Sequence, residues 1–430
     1  MSSKTIFKSG EPVSNKTALS NYGGHWRYAF FAAPLAAIGI PIYIHAPKYL
    51  LDTYGFSLTA LGIIFLGLRL IDVIQDPFLG KLAQLIGKYR QLSIVFFIFL
   101  LISSLWFFFA VEPFFNTFAY VCLTLFFMFT AFSYISICFY AQGIKFVEAQ
   151  SDRSHSHLSA WRETGALIGI ITACLLPSAL EYLNVDPMRG FAFVVILLLI
   201  IAYFVMKGSW NYGTKDPVKD YTIFLLLKDK TTRGFLILSF LNASPVAVTS
   251  TLFLFFVEAR LRMPELAGLF LITFFVGAAI SVPFWGKLTS KYELKFVLSI
   301  GMTLAILTFM FTCLIGPGNF PAFFIICIIS GACLGADMSI LPAMFARHVA
   351  KTKFDNSVAF GVWNFFNKST LAISAGLILP ALAATGFHSG TNHSNTQLLS
   401  LTILYCFVPC ILKIIALLTL NFGPIERNKN

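Results

Sequence analysis

The chain is short of charge. Only 12% of its 430 residues are Asp, Glu, Lys or Arg, against about 25% in an ordinary soluble domain. Hydrophobic residues make up 57% and mean hydropathy is +0.79, which excludes a fold built around one core in water. Acidic residues are scarcest, 19 against 31 basic ones. The resulting +12 is not a nucleic-acid footprint, because the basic residues are sorted by loop. Paired cysteines are lacking too. Cys122, Cys138, Cys174, Cys313, Cys327, Cys333, Cys406 and Cys410 all lie in apolar segments and none makes a CxxC pair. They read as small buried residues rather than disulfides or metal ligands. No GxxxxGK[ST] phosphate cradle is present, which argues against a nucleotide-driven pump. His155 and His157 lack companions for a metal site. No nucleophile–base pair stands out, so an enzyme is not expected.

Long apolar runs are what the chain has. Each is roughly 20 residues, enough to cross a bilayer. Twelve spans are expected, over 28–50, 56–78, 92–111, 116–142, 158–180, 190–207, 233–256, 264–285, 296–315, 320–345, 357–385 and 397–421. The first begins after a polar tail, unlike a cleavable signal peptide. Connections are short except 208–232, which holds a polar stretch and then an amphipathic piece suited to the membrane surface. The expected organisation is a tail, 1–27; a six-helix bundle, 28–207; a central loop, 208–232; a second six-helix bundle, 233–421; and a tail, 422–430. The 48 phenylalanines are mainly lipid-facing bulk.

With the N-terminus inside, 23 of the 31 Lys and Arg fall in cytoplasmic segments, four in outer loops and four within spans. The outer four are Lys48, Arg189, Arg260 and Arg262, and those in spans are Arg69, Arg162, Lys368 and Lys413. So one-sided a distribution fits an even number of spans with both termini cytoplasmic. The expected location is the inner (plasma) membrane.

The two halves resemble each other. DPFLGKLAQLIGKYR begins at Asp76 and VPFWGKLTSKYELK at Val282, an offset of 206. Gly62 meets Gly268, Pro77 meets Pro283, Gly80 meets Gly286 and Lys81 meets Lys287. Parallel six-span repeats mark the major facilitator transporters. Gly80, Lys81, Gly286 and Lys287 are therefore candidates for a cytoplasmic gate. The charges are not copied: Arg69, Asp72 and Asp76 meet Phe275, Ala278 and Val282. Chemistry needed once is kept in one half.

Arg69, Asp72 and Asp76, spaced i, i+3 and i+7 inside an apolar run, share one helix face. A charge at mid-bilayer costs at least about 2.5–3.5 kcal/mol. Such a face needs a cavity, a bound cation, or a partner charge. Glu163 follows Arg162 directly, about 100° away on a helix, so the two are not expected on the same side. Asp337 lies among Gly331, Ala332, Gly335 and Ala336, where a structural partner or a transport role would fit. His45 and Lys48 stand near the outer end of the first span, and Lys413 is expected to snorkel.

The pattern R-x-x-D-x-x-x-D-P-x-x-G from Arg69 to Gly80 resembles the second-helix signature of the glycoside–pentoside–hexuronide:cation symporters, the melibiose-permease-like family of the major facilitator superfamily. LSAWRETGALIG (158–169) is similar to that family's fifth helix, WNFFNKSTLAISAG (363–376) to its eleventh, and GADMSILPAMF (335–345) to a tenth-helix pattern of related members. The resemblance implies an all-α membrane protein, with twelve transmembrane helices in two pseudo-symmetric six-helix bundles. It also implies a cation site from Asp72, Asp76, Gln75 and Ser133, with Lys368 competing for it. A buried ion cluster of the aspartates with Arg69 and Lys368 is the alternative reading.

The departures bear on substrate. The family's sugar-binding aspartates are replaced by Ala36 and Ser136, and Tyr140 stands for the aromatic that stacks on sugar. Arg69, Arg162, Tyr140, Ser136, Trp363, Asn364, Asn367 and His45 are the candidate solute contacts, with helix packing the alternative for the residues on the eleventh helix. The expected function is symport of a small anionic or polyhydroxylated solute, driven by Na+ or H+, by alternating access. No cofactor is expected beyond the coupling ion. The expected partners are the solute and the lipid bilayer, without nucleic acid, and the working unit is a monomer. A carboxylate siderophore or a lysolipid is the alternative cargo. A non-transporting membrane sensor is the alternative of another class.

Overall fold

A computed structural model describes residues 24–56, 58–147, 154–211, 223–352, 354–387 and 394–425. Nearly all of the N-terminal tail, the centre of the long connection and residues 426–430 lie outside them. All regular structure among the described residues is helical. Six long helices precede the long connection: α1 (His25–Tyr54), α2 (Leu58–Ile86), α3 (Arg90–Ala110), α4 (Thr117–Val147), α5 (Ser154–Tyr182) and α6 (Pro187–Met206). Six follow it: α7 (Lys230–Leu261), α8 (Ala267–Lys291), α9 (Leu294–Met310), α10 (Phe320–Lys351), α11 (Asn356–Ala383) and α12 (Asn395–Phe422).

Among the described residues, the helices α3 to α12 are long and apolar enough to cross a membrane. α1 and α2 add 30 and 29 residues, the second interrupted by the charges from Arg69 to Asp76. Each expected span thus has its helix, often a few residues longer because helix continues past the apolar core. The amphipathic piece of the connection forms a short helix, Ile223–Lys228, which buries Leu226 and exposes Phe224. α7 and α12 each contain one π turn, at Phe256–Leu261 and Ile403–Phe407. The second precedes Pro409, which has no N–H to continue the ladder.

Small residues decide which helices touch. Gly165 and Gly169 of α5 lie against the Ala29 and Ala33 carbonyls of α1, where a Cβ would overlap backbone. In the second half the close pair is α8 with α10, through Gly277 against Ile328 and Gly331 against Phe274. The halves repeat in sequence but not in their tightest contact, since Leu371 stands where Gly165 would recur.

The apolar clusters show how the halves meet. One cluster joins Leu79 and Ile144 of the first half to Phe345, Phe360 and Trp363 of the second. Its second-half members lie toward the end that carries Lys81, Arg90 and Lys287, whereas its first-half members run the length of that bundle, to Leu50 and Phe108. A second cluster, with Phe256, Phe270, Phe323 and Tyr405, belongs to the second half alone and lies toward the opposite end. At the basic end α2 crosses α11: a Cβ on Gly80 would stand 2.7 Å from the Ser357 carbonyl, and one on Gly361 would stand 2.7 Å from that of Asp76. Gly286 of α8 faces Ala160 of α5 across the same seam.

Candidate functional site

Three helix faces converge at mid-bundle. α2 brings Asp72 and Asp76, one turn apart, and Pro77 removes the helical hydrogen bond to the Val73 carbonyl between them. α4 brings Ser133 and α11 brings Lys368. The Lys368 ammonium lies 2.9 Å from Asp72 Oδ1, 3.0 Å from Asp76 Oδ2 and 2.6 Å from Ser133 Oγ. Ser133 donates to Asp72 Oδ1 at 2.8 Å, and Gln75 Nε2 donates to the same oxygen at 3.2 Å. Asp76 and Ser133 are fully buried, whereas the Lys368 side chain is 22% exposed. Lys368 is therefore the most accessible of the three charged members. Thr130, one turn before Ser133 on the same α4 face, fixes the Gln75 amide by donating to its Oε1 at 2.9 Å.

The cluster presents hard oxygen ligands around a position of unit positive charge. Here an ammonium fills it; an alkali cation or a proton on a carboxylate would meet the same demand. Asp72, Asp76, Gln75, Ser133 and Lys368 are thus brought together. Arg69 is half-buried one turn along α2.

A second constellation lies further along α4. Ser133, Ser136 and Tyr140 share one face, spanning roughly 10 Å. The Arg162 guanidinium lies 3.7 Å over the Tyr140 ring and donates to Glu163 Oε1 at 3.0 Å and to Ser159 at 3.1 Å. Tyr140 donates its hydroxyl to the same Glu163 oxygen at 3.1 Å. This corrects the expectation that Arg162 and Glu163 face apart. Both are buried, and the guanidinium stem is long enough to fold back over its neighbour. The pair satisfies itself against one ring, and the Phe360 ring of α11 lies tilted against that ring with centres 5.3 Å apart. Ser136 is buried beside them.

On α11, Asn364 stands one turn before Lys368 on the same face and is half-buried. Asn367 donates to the Trp363 carbonyl at 3.2 Å. Trp363 is buried and stacked on Phe345 of α10 with ring centres 4.4 Å apart, so its ring packs helix on helix. The His45 side chain lies outside the described residues.

At the basic end, Gly80 and Gly286 sit in the seam between halves, while Lys81 and Lys287 point to the surface and make no ion pair among the described residues. Arg90, at this same end, does cross the seam. Its guanidinium donates to Ser357 Oγ on α11 at 2.7 Å. Sequence reading missed it because Arg90 looks like any basic residue of an inner loop. Lys413 is a second correction. It does not snorkel; it is buried in the second half and paired with Asp337, its ammonium 2.6 Å from Asn242 Oδ1.

The family described as MFS/sugar transport protein matches residues 28–427. Among curated proteins, the sodium-dependent lysophosphatidylcholine symporter 1 of Gallus gallus is 23% identical over 167 residues, covering 37% of this chain and 31% of that protein. The match thus spans about a third of that relative's length. Among solved structures, a bacterial homologue of the iron transporter ferroportin in its outward-facing state aligns with a TM-score of 0.70 and 14% identity, over 92% of this chain and 98% of that one. The E. coli fucose:proton symporter aligns with a TM-score of 0.65 and 14% identity, over 94% and 98%. These likenesses establish the transporter fold of twelve helices.

Proposed function

From the premise that this chain belongs to the MFS/sugar transport protein family, we propose that it is a cation-coupled symporter working by alternating access. The observation that carries this reading is the Lys368 ammonium held by Asp72, Asp76 and Ser133. Buried carboxylates facing each other need a positive charge. When Lys368 supplies it, one of the two carboxylate charges is offset without a transported ion. When Na+ or a proton supplies it, Lys368 is released toward the cavity, where an anionic group of the solute can meet it. Cation and solute then favour the same state, which is the thermodynamic content of coupling.

The solute contacts in this reading are Arg162, Tyr140, Ser136, Asn364 and Asn367, with Arg69 above them. They suit an anionic or polyhydroxylated solute. The curated relative is named for a lysophosphatidylcholine, and this favours an amphipathic anion or zwitterion as the second reading of cargo. Both readings keep Asp72 and Asp76 as the coupling pair. The protein would sit in the inner membrane with both termini cytoplasmic, as the sorting of basic residues supports. In that orientation the seam at the basic end faces the cytoplasm. Residues 28–207 and 233–421 would rock about the α2–α11 and α5–α8 contacts, each protomer working alone.

The test is thermal stability of the purified protein, wild type beside Asp76→Asn, with and without sodium and from pH 5 to 8. The solute panel would span glycosides, uronic acids, carboxylate siderophores and lysolipids. A solute that stabilises the wild type only with sodium or at low pH, and loses that dependence in Asp76→Asn, is the expected result and names the cargo class. Equal stabilisation of both proteins in every condition would leave Asp76 structural and make a uniporter or sensor the better account.

A further inference from the structure

The second half holds a buried charge pair of its own, 76 residues apart in sequence. Asp337 of α10 and Lys413 of α12 are 8% and 4% exposed, and Asn242 of α7 completes the group at 5%. One Asp337 oxygen, Oδ2, is on Lys413. The other, Oδ1, is buried with no hydrogen-bond partner. A buried carboxylate oxygen left bare is costly unless something fills its place. Asp337 and Lys413 both line a cavity of about 80 Å³ between α7, α9, α10 and α12. That cavity adjoins another of about 70 Å³, with which it shares Thr249, Phe274 and Ser330. Pro245 lies in the cavity wall and removes the helical hydrogen bond to the Leu241 carbonyl, next to Asn242.

The groups facing Asp337 are few. α12 presents Lys413 and the Cys410 thiol, α7 presents Asn242, and α10 itself presents Cys333. α8 and α9 contribute apolar side chains to the wall, as α5 does through Ala160 and Leu167 on the neighbouring face of α10. No second carboxylate and no second cation stands in the cavity among the described residues. Lys413 is thus the positive charge that balances Asp337, held by one carboxylate oxygen and one amide oxygen.

We propose that Asp337 and Asn242 form a second monovalent-cation site, lying wholly within the C-terminal bundle and filled here by the Lys413 ammonium. An alkali cation or a proton arriving at Asp337 takes the place of Lys413, whose ammonium turns into the cavity. Displacing it loosens a polar tie that joins α7, α10 and α12. The site is separate from the Asp72–Asp76–Lys368 cluster and does not depend on it.

The experiment starts from Asp72→Asn/Asp76→Asn, which removes the first cluster's carboxylates. Melting temperature is followed against NaCl, LiCl and KCl, with choline chloride as the ionic-strength control, at pH 6 and pH 8. The expected result is a remaining response that Asp337→Asn abolishes: to an alkali cation at pH 8 if that ion is the ligand, or to pH alone if it is a proton. Lys413→Gln should lower the half-saturating cation concentration about tenfold by removing the competitor. Absence of any remaining response, with Lys413 present or replaced, overturns the proposal. Asp337→Asn/Lys413→Gln keeps the pair neutral and serves if the single variants fail to fold. In the wild type, alkylation of Cys410 in the cavity wall should be slowed by the same cation, and an unchanged rate counts equally against the site. A response lost in Asp72→Asn/Asp76→Asn but kept in Asp337→Asn belongs to the first cluster, and one kept in the former and lost in the latter belongs to this site, so the two readings fail separately.

Discussion

Lys368 forms ion pairs with both Asp72 and Asp76, and it offsets one of their two charges. Removing one partner of a buried ion cluster costs about 3–5 kcal/mol, because the remaining charges are left uncompensated. Lys368→Met should therefore lower the melting temperature sharply in potassium- and sodium-free buffer at pH 8, and sodium or acid should restore most of it. Indifference to both would mean that the carboxylates are balanced elsewhere. Asp229 gives a residue-scale prediction outside the membrane. It caps α7 by accepting from the Thr232 N–H at 2.7 Å and lies 3.3 Å from His348 Nε2. Burial alone would raise its carboxyl, but the Thr232 hydrogen bonds and the His348 charge outweigh it and hold the group below its usual range. A depressed folded-state carboxyl stabilises above the unfolded pKa, and that contribution fades as pH falls through the folded one. The wild type should thus lose stability below about pH 4, and Asp229→Asn should flatten that limb while keeping the cap. An unaltered acid limb would remove Asp229 from the account. The intramembrane charges were legible in sequence because an apolar run makes each one costly. Their partners were less so. Lys413 on α12 carries no local sign of Asp337, 76 residues earlier, and so read as a snorkelling lysine.

Among the elements, the α2–α11 crossing is the point where the two halves touch backbone to backbone. Gly80 and Gly361 permit it, and Gly361 is the tighter test because its Cβ would meet the Asp76 carbonyl and the Gly80 backbone. Gly361→Leu should force the helices apart, an overpacking cost of about 1–3 kcal/mol in the sealed state. Alkylation of a Ser357→Cys reporter at the basic end should then rise. Gly376, on the same helix with nothing within 4 Å of its Cβ, supplies the control, and Gly376→Leu should leave the reporter unchanged. Equal alkylation in both variants would show that the crossing does not seal that end. The helices themselves were legible from apolar length and sorted charge, and the repeat at offset 206 pointed to Gly80 and Gly286. The pairing was not legible. The repeat suggests equivalent packing in both halves, yet α1 meets α5 closely in one and α8 meets α10 in the other, as their own small residues dictate. Arg90 escaped notice for a related reason: its partner Ser357 lies 267 residues away, and only the folded seam joins them.

For the whole molecule, the uneven distribution of contacts is the informative feature. The Gly80–Gly361 crossing, the Arg90–Ser357 hydrogen bond and the second-half members of the shared apolar cluster lie toward the basic end, while the second-half cluster around Phe256 and Tyr405 stands apart toward the other. A symporter must exchange these roles, so each of the basic-end contacts has to be breakable within one cycle. Their kind suits that. A single side-chain hydrogen bond is worth about 1–3 kcal/mol even when one partner is charged, within reach of the differential binding of a cation and a solute. Lys81 and Lys287 are exposed, one in each half and outside the seam, and so can carry labels without disturbing it. With spin labels on Lys81→Cys and Lys287→Cys in a background free of the native cysteines, the apo protein should give one short distance. Sodium, or acid, together with the stabilising solute should add a longer population, and Arg90→Ala should raise that population without any ligand. A single distance unmoved by cation, solute and the Arg90 variant would mean that the halves do not rock about this seam. The coupling assigned to Asp72 and Asp76 would then need a local gate, confined to α2 and α11, in place of a rotation of bundles.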